Sequence, residues 1–133
     1  MTRYLLDTNH ASVVWKNDAK LRARIENTAD AEFCLCLPSI GELWFMVMNS
    51  AQVERNEPLL EVLLNRFALL DFDMAASKEF GRIRTDLRRI GQPIPAIDAQ
   101  IAAIAIVSDA VLLTSDNRHF PRVVGLRLEN WLV

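Results

Sequence analysis

At 133 residues, 51% of them hydrophobic, the chain has the length and apolar content of one domain with a sizeable core. Charged residues amount to 24% with both signs interspersed, and a formal net charge of -2 excludes a protein that holds nucleic acid by bulk charge alone, although a metal ion can supply positive charge locally. The start of the chain lacks the pattern of a signal peptide, and no apolar run approaches the ~20 residues that span a bilayer, so a cytoplasmic protein with no membrane partner is expected.

In chain order, the first predicted element is a strand from Arg3 to Leu6, which runs straight into Asp7 in the stretch YLLDTN. Helical periodicity follows from Ala11 to Thr28, broken near Asn17-Asp18. The second strand, Glu32 to Leu37, carries Cys34 and Cys36 on one face, where they cannot pair; a lone C-x-C is no zinc site, so both read as small buried hydrophobes in a reducing compartment. Pro38 suits the first turn of a helix reaching Gln52, and a second helix spans Glu57 to Phe67. A third strand, Ala68 to Asp71, leads to a helix from Met74 to Ile90 that Gly91 stops. A helix from Ala96 to Asp109, a fourth strand from Ala110 to Thr114 and a short strand at Arg127-Leu128 complete the chain.

The first four strands are nearly continuous apolar runs, which suits a mostly parallel sheet of four to five strands buried on both faces between helices. With no repeat or linker to divide it, the chain is expected to form a single α/β domain over residues 1 to 133. Right-handed β-α-β crossovers then bring the C-terminal ends of the strands to one edge.

Four acids fall at that edge. Asp7 follows the first strand, Glu42 lies about one turn into the helix after the second, Asp98 lies near the start of an otherwise apolar helix in IPAIDAQIAAIAI, and Asp116 follows the fourth strand in LLTSD. Open α/β sheets hold their ligands at this edge. Each acid alone could be a helix cap or dipole partner, but an acid opening a helix as apolar as that of Asp98 must face the interior or a cleft. Carboxylates gathered together raise one another's pKa unless a cation neutralises them, and an oxygen-only set selects Mg²⁺ or Mn²⁺.

Taken in order, YLLDTN, GELW with Ser50 beyond it on the same predicted helix, FGRIRTDLRRIGQPI leading into IDAQIAAIAI, LLTSDNRHF and VVGLRLENWL resemble a PIN-domain ribonuclease, of the VapC type found as the toxin of type II toxin–antitoxin pairs. The resemblance covers the whole chain and implies a PIN-like three-layer α/β/α sandwich. It places the family's catalytic and metal-binding acids on Asp7, Glu42, Asp98 and Asp116, the four that the strand-end argument selects. Its supporting polar groups fall on Thr8, Asn9 and Thr114, with Ser115 and Asn117 nearby. It further implies a Mg²⁺- or Mn²⁺-dependent endoribonuclease acting on tRNA or rRNA, leaving 5′-phosphate and 3′-hydroxyl ends. The partners implied are a cognate VapB-type antitoxin, the RNA substrate and a second copy in a homodimer. The chain departs from the pattern at Pro95 and Met46, where the family often has glycine.

Arg84 and Arg88 share one face of the basic helix GRIRTDLRRIG and Arg82 and Arg89 another; a phosphate-binding strip at Arg84 and Arg88 competes with a plain solvated face. His10 and His119 flank the acids in sequence, and packing or polar support is expected of both, since four carboxylates already account for a metal. The run ELWFMVM is apolar on nearly every side, which offers Trp44, Met46 or Met48 to a partner or a second subunit. Three other readings compete. A haloacid-dehalogenase-type phosphatase would need an acid where Asn9 stands. A non-catalytic PIN-like module would be marked by a missing acid, and a PIN nuclease of RNA processing would act without an antitoxin.

Overall fold

The computed structural model describes residues 1 to 133. Five strands form one sheet in the order β3-β2-β1-β4-β5, and all four pairings are parallel. The strands are β1 (Thr2–Leu6), β2 (Ala31–Cys36), β3 (Ala68–Leu70), β4 (Ala110–Leu113) and β5 (Arg127–Glu129). Six helices accompany them: α1 (Thr8–Trp15), α2 (Ala19–Asn27), α3 (Leu37–Met48), α4 (Val53–Leu64), α5 (Met74–Arg89) and α6 (Ala96–Val107).

The pleat divides the core in two. Leu5, Cys34, Cys36 and Leu112 pack on one face against α5 and α6, while Leu6, Leu35 and Leu113 pack on the other against α1, α3 and α4. Alternating side chains thus serve both faces, which is why the strands read as unbroken apolar runs. The expected α/β/α sandwich with a parallel sheet is what the chain forms. Cys34 and Cys36 lie on one face, buried and unbridged. Burial, together with the Glu32 carboxylate that accepts its S–H, pushes the Cys34 thiol up to about 12, and burial raises Cys36 too. Neither has thiolate character.

The chain order reverses between β1 and β4, because β2 and β3 continue to one side of β1 and β4 and β5 to the other. That reversal opens a crevice at the strands' C-terminal ends.

Several boundaries differ from expectation. The first helix begins at Thr8 rather than Ala11, because Asp7 caps it by accepting the N–H of His10 at 2.8 Å. The break falls where expected: Asn17 is left-handed (φ 68°), and Asp18 caps α2 through the N–H of Leu21. Leu37 is the first residue of α3, not the last of a strand. That helix ends at Met48, so Ser50 lies beyond it, its hydroxyl turned back onto the Val47 carbonyl. Helix α4 starts at Val53, which leaves Pro58 inside it instead of in its first turn. Gly91 (φ 68°) ends α5 as expected. Edge strand β3 departs from two-sided burial, with Leu69 52% exposed. No helix is long and apolar enough to cross a membrane.

Candidate metal and active site

Each of the four acids reaches the crevice through a different element. Asp7 extends β1 by one residue, its N–H donating to the Leu113 carbonyl of β4 at 3.0 Å. Asp116 comes two residues after Thr114, which holds it by accepting the Asp116 N–H on its hydroxyl at 3.0 Å. Asp98 lies in the first turn of α6, and Glu42 early in the second turn of α3, about one turn in as expected. Helices α1, α3 and α6 all begin at this edge, so their positive ends face the carboxylates.

The result is a cavity of about 260 Å³ lined by Asp7, Glu42, Asp98 and Asp116 together with Thr8, Asn9 and Ser115. All four acids named from the sequence meet there. Of the supporting groups, Thr8 Oγ1 donates to Glu42 Oε1 at 3.4 Å, and Asn9 Nδ2 donates to Ser115 Oγ at 3.0 Å, tying the start of α1 to the loop after β4. Thr114 acts from beneath, through the Asp116 backbone. Asn117 forms no side-chain hydrogen bond.

Two carboxylates are shifted in opposite directions. Burial raises the pKa of Asp98, and the charges of Asp116 and Asp7 add to the rise, while the His119 imidazole pulls the other way. At Asp116 burial also acts upward, but the N–H groups of Arg118 (2.7 Å) and His119 (3.0 Å) on Oδ1 and the His119 ring outweigh it and hold the carboxyl low.

The two histidines have different surroundings. His10 is fully buried; its Nε2 accepts the backbone N–H of Trp131 at 3.2 Å, which puts the ring proton on Nδ1. That Nδ1 stands 3.3 Å from Asp7 Oδ1, at an angle that makes no hydrogen bond. His10 therefore packs behind Asp7 and backs its carboxylate, in keeping with the support expected of it. The sequence carries no signal for the Trp131 contact, which joins positions 121 residues apart through a main-chain donor. His119 instead faces the cavity's acids, its Nδ1 3.0 Å from Asp98 Oδ2 and 3.1 Å from Asp116 Oδ2.

Asp7 Oδ2, Glu42 Oε2 and Asp98 Oδ1 have no protein partner, so hard oxygen donors are left free on three of the four acids. This donor set fits a divalent cation, and Asp98, Asp116 and His119 alone place three ligand atoms within 4.8 Å of one another.

Outside the cavity, Arg82 is committed to its own helix, paired with Glu79 and with Asp86 at 2.8 Å, as a solvated face would have it. Arg84 and Arg88 have no acidic partner; they border a groove with Pro93 and Ile94, and Arg84 lies over the Phe80 ring at 5.5 Å. On α3, Trp44 and Met46 are half-buried, packing partly against the core on either side of the buried Leu43 and Val47. Met48 is exposed as expected, and Phe45 is the most exposed of the run at 67%.

Residues 4–126 match the PIN domain family. The chain is 35% identical to a tRNA(fMet)-specific endonuclease VapC of Shigella flexneri over 132 residues, covering 98% of this chain and 99% of the relative. It is 32% identical to a ribonuclease VapC2 of Haemophilus influenzae over 133 residues, covering 99% of this chain and all of the relative. Among solved structures, VapBC2 from Rickettsia felis bound to a DNA fragment from their promoter superposes with a TM-score of 0.92 at 30% identity, covering 98% of this chain and 99% of the other. DNA-bound VapBC from Salmonella typhimurium gives 0.91 at 32% identity, with the same coverage. Sequence, fold and relatives converge: this chain belongs to the PIN-domain family, as a VapC-type endoribonuclease toxin of a type II toxin–antitoxin system.

Proposed function

We propose that Asp7, Glu42, Asp98 and Asp116 are the metal-binding and catalytic residues of a Mg²⁺- or Mn²⁺-dependent hydrolysis of RNA phosphodiester bonds. The observation that carries this reading is the meeting of four acids from β1, α3, α6 and the β4 loop in one cavity, three of them with an oxygen left free.

In this reading Asp7, Asp98 and Asp116 hold the ion, and Asp7 is the most rigidly placed, because its other oxygen is fixed by the α1 cap. A bound divalent ion supplies charge neutralisation at the phosphate and a lowered pKa for the attacking water. Glu42, steadied by Thr8, is placed to ligate through water or to take that water's proton. Thr8, Asn9, Thr114 and Ser115 fix the start of α1 beside Asp7 and the loop that carries Asp116. Arg84 and Arg88, free of acidic partners, supply phosphate contacts for the RNA strand.

The substrate class proposed is tRNA, with rRNA the second choice, and a relative named for tRNA(fMet) supports it. A VapB-type antitoxin partner is supported by neighbours solved as VapBC complexes. A homodimer would cover Phe45 and Met48 on α3. We place the protein, a single PIN domain over residues 1 to 133, in the cytoplasm, where two unbridged thiols stay reduced.

The purified protein, freed of antitoxin, should cleave tRNA when given Mg²⁺ or Mn²⁺ and fall silent in EDTA. Sequencing RNA ends after brief induction in cells identifies the site. Cleavage that persists in EDTA, or that survives undiminished in Asp7→Asn and Asp98→Asn, overturns the assignment.

A further inference from the structure

Beside the acidic cavity one imidazole, that of His119, reaches two of its four acids and completes a group of three ligand atoms with them. His119 Nδ1 stands 3.0 Å from Asp98 Oδ2 and 3.1 Å from Asp116 Oδ2. Two neighbouring donors on an octahedral ion with bonds of about 2.1 Å are about 3.0 Å apart, so both spacings from the imidazole match those between adjacent ligands, with all three atoms within 4.8 Å.

The ring is also held there in advance. Asp116 Oδ1 accepts the N–H groups of Arg118 and His119, which folds residues 116 to 119 back toward α6. The next residue, Phe120, is anchored in the core at 2% exposure and opens a short 3-10 turn, Phe120–Arg122. Clamped between these two fixed points, the imidazole needs little further ordering to meet an ion.

We propose that His119 is a ligand of the divalent ion held by Asp98 and Asp116, and that its nitrogen makes this site favour Mn²⁺ over Mg²⁺. The inference rests on the proposed metal site. Mg²⁺ demands oxygen in a near-ideal octahedron and keeps its waters, whereas imidazole nitrogen suits transition ions better. As a ligand the ring presents the Nδ1 lone pair and carries its proton on Nε2. The rival arrangement puts the proton on Nδ1, hydrogen-bonded to the carboxylates, and leaves the ion to oxygen alone.

Pulsed electron paramagnetic resonance on the full chain loaded with Mn²⁺, without RNA, separates the two, because a coordinated imidazole adds ¹⁴N modulation. The chain has two histidines, and His10 is sealed behind Asp7 with its Nε2 on Trp131, so the signal can be assigned. Imidazole modulation should be present in the native protein and absent in His119→Ala. Mn²⁺ affinity, measured by titration with Mg²⁺ as competitor, should fall by at least the roughly tenfold that loss of even an outer partner costs, with much less change for Mg²⁺. His119→Glu, which returns an oxygen, should keep Mn²⁺ bound with a smaller preference over Mg²⁺. Bound Mn²⁺ without nitrogen modulation, or an unchanged Mn²⁺:Mg²⁺ ratio in both variants, overturns the ligand role and leaves the metal site standing. Failure of the native protein to bind Mn²⁺ at all overturns the metal site and this inference together.

Discussion

Asp7, at the end of β1, and Asp98, in the first turn of α6, line one cavity, and the β1 wall holds its acid differently from the wall built by α6 and the loop after β4, the β4 wall. On the β1 wall Asp7 is 6% exposed, caps α1, and is backed by the fully buried His10, itself pinned by Trp131. On the β4 wall the side chains of Asp98, Asp116 and His119 are 20%, 27% and 29% exposed and lean on one another and on the backbone of the loop after β4. Truncating a residue that both caps a helix and lines the site should lower function and stability together, and only a swap that keeps the cap can part them. On the β4 wall the two should separate for any substitution.

The largest effect is expected at Asp7. Asn caps helices as well as Asp, so Asp7→Asn should keep α1 and the melting temperature close to native while cleavage falls by about a hundredfold or more. Asp7→Ala should lose cleavage and, in addition, about 1 kcal/mol of stability with the cap. If Asn and Ala melt alike, the cap is not part of what Asp7 does.

A second, smaller effect tests the backing of that wall. His10→Ala leaves a buried hole and an unpaired Trp131 N–H, and should lower unfolding free energy by about 3 kcal/mol in chemical denaturation. His119→Ala, half-open to solvent, should shift it by no more than about 0.5 kcal/mol. Similar losses at both positions would erase the contrast between the walls.

Asp98 sharpens the same contrast through pH. Its raised pKa means that the metal-free folded protein binds a proton there more readily than the unfolded chain, so the ionised form opposes folding above that pKa and the opposition fades as pH falls through it. Asp98→Asn should therefore melt higher than native at neutral pH without divalent ions, with the gap closing on acidification, while cleavage is lost. Asp116 has the opposite sign: held low, it favours folding above the ordinary carboxylate value and gives that up as pH falls through its lowered one. A native protein that melts above Asp98→Asn at neutral pH would contradict this account.

The smallest effect lies outside the cavity. Arg84→Ala and Arg88→Ala should each weaken RNA binding a few-fold and reduce the salt slope by about 1, with the melting curve unchanged. A salt slope untouched by both would return that helix face to solvent.

Much of this was legible in the sequence because it follows from periodicity. Unbroken apolar strands announced a parallel sheet, parallel pairing fixed which ends share an edge, and Asp7, Glu42, Asp98 and Asp116 could be placed there without coordinates. Element ends were less legible, for local reasons. Asp7 starts α1 early because it caps as well as faces the cavity, and Pro58 misled the start of α4 because proline favours a first turn, yet here it stands in the second and forgoes the bond to the Glu54 carbonyl. The two histidines could not be told apart from sequence. His10 is set by a main-chain N–H from Trp131, and His119 by a backbone turn around Asp116, and neither leaves a side-chain pattern to read.

The joining of β1 to β4 also has a consequence for the timing of the protein's own synthesis. Asp7 and Glu42 emerge from the ribosome early, but the strand that carries Asp116, and the Trp131 that pins His10, are made long after them. Contacts so distant along the chain form late in folding. A growing chain with only its first hundred residues made carries Asp7, Glu42 and Asp98 but lacks Asp116 and the β4 strand that pairs with β1, so the four-acid cavity cannot yet assemble.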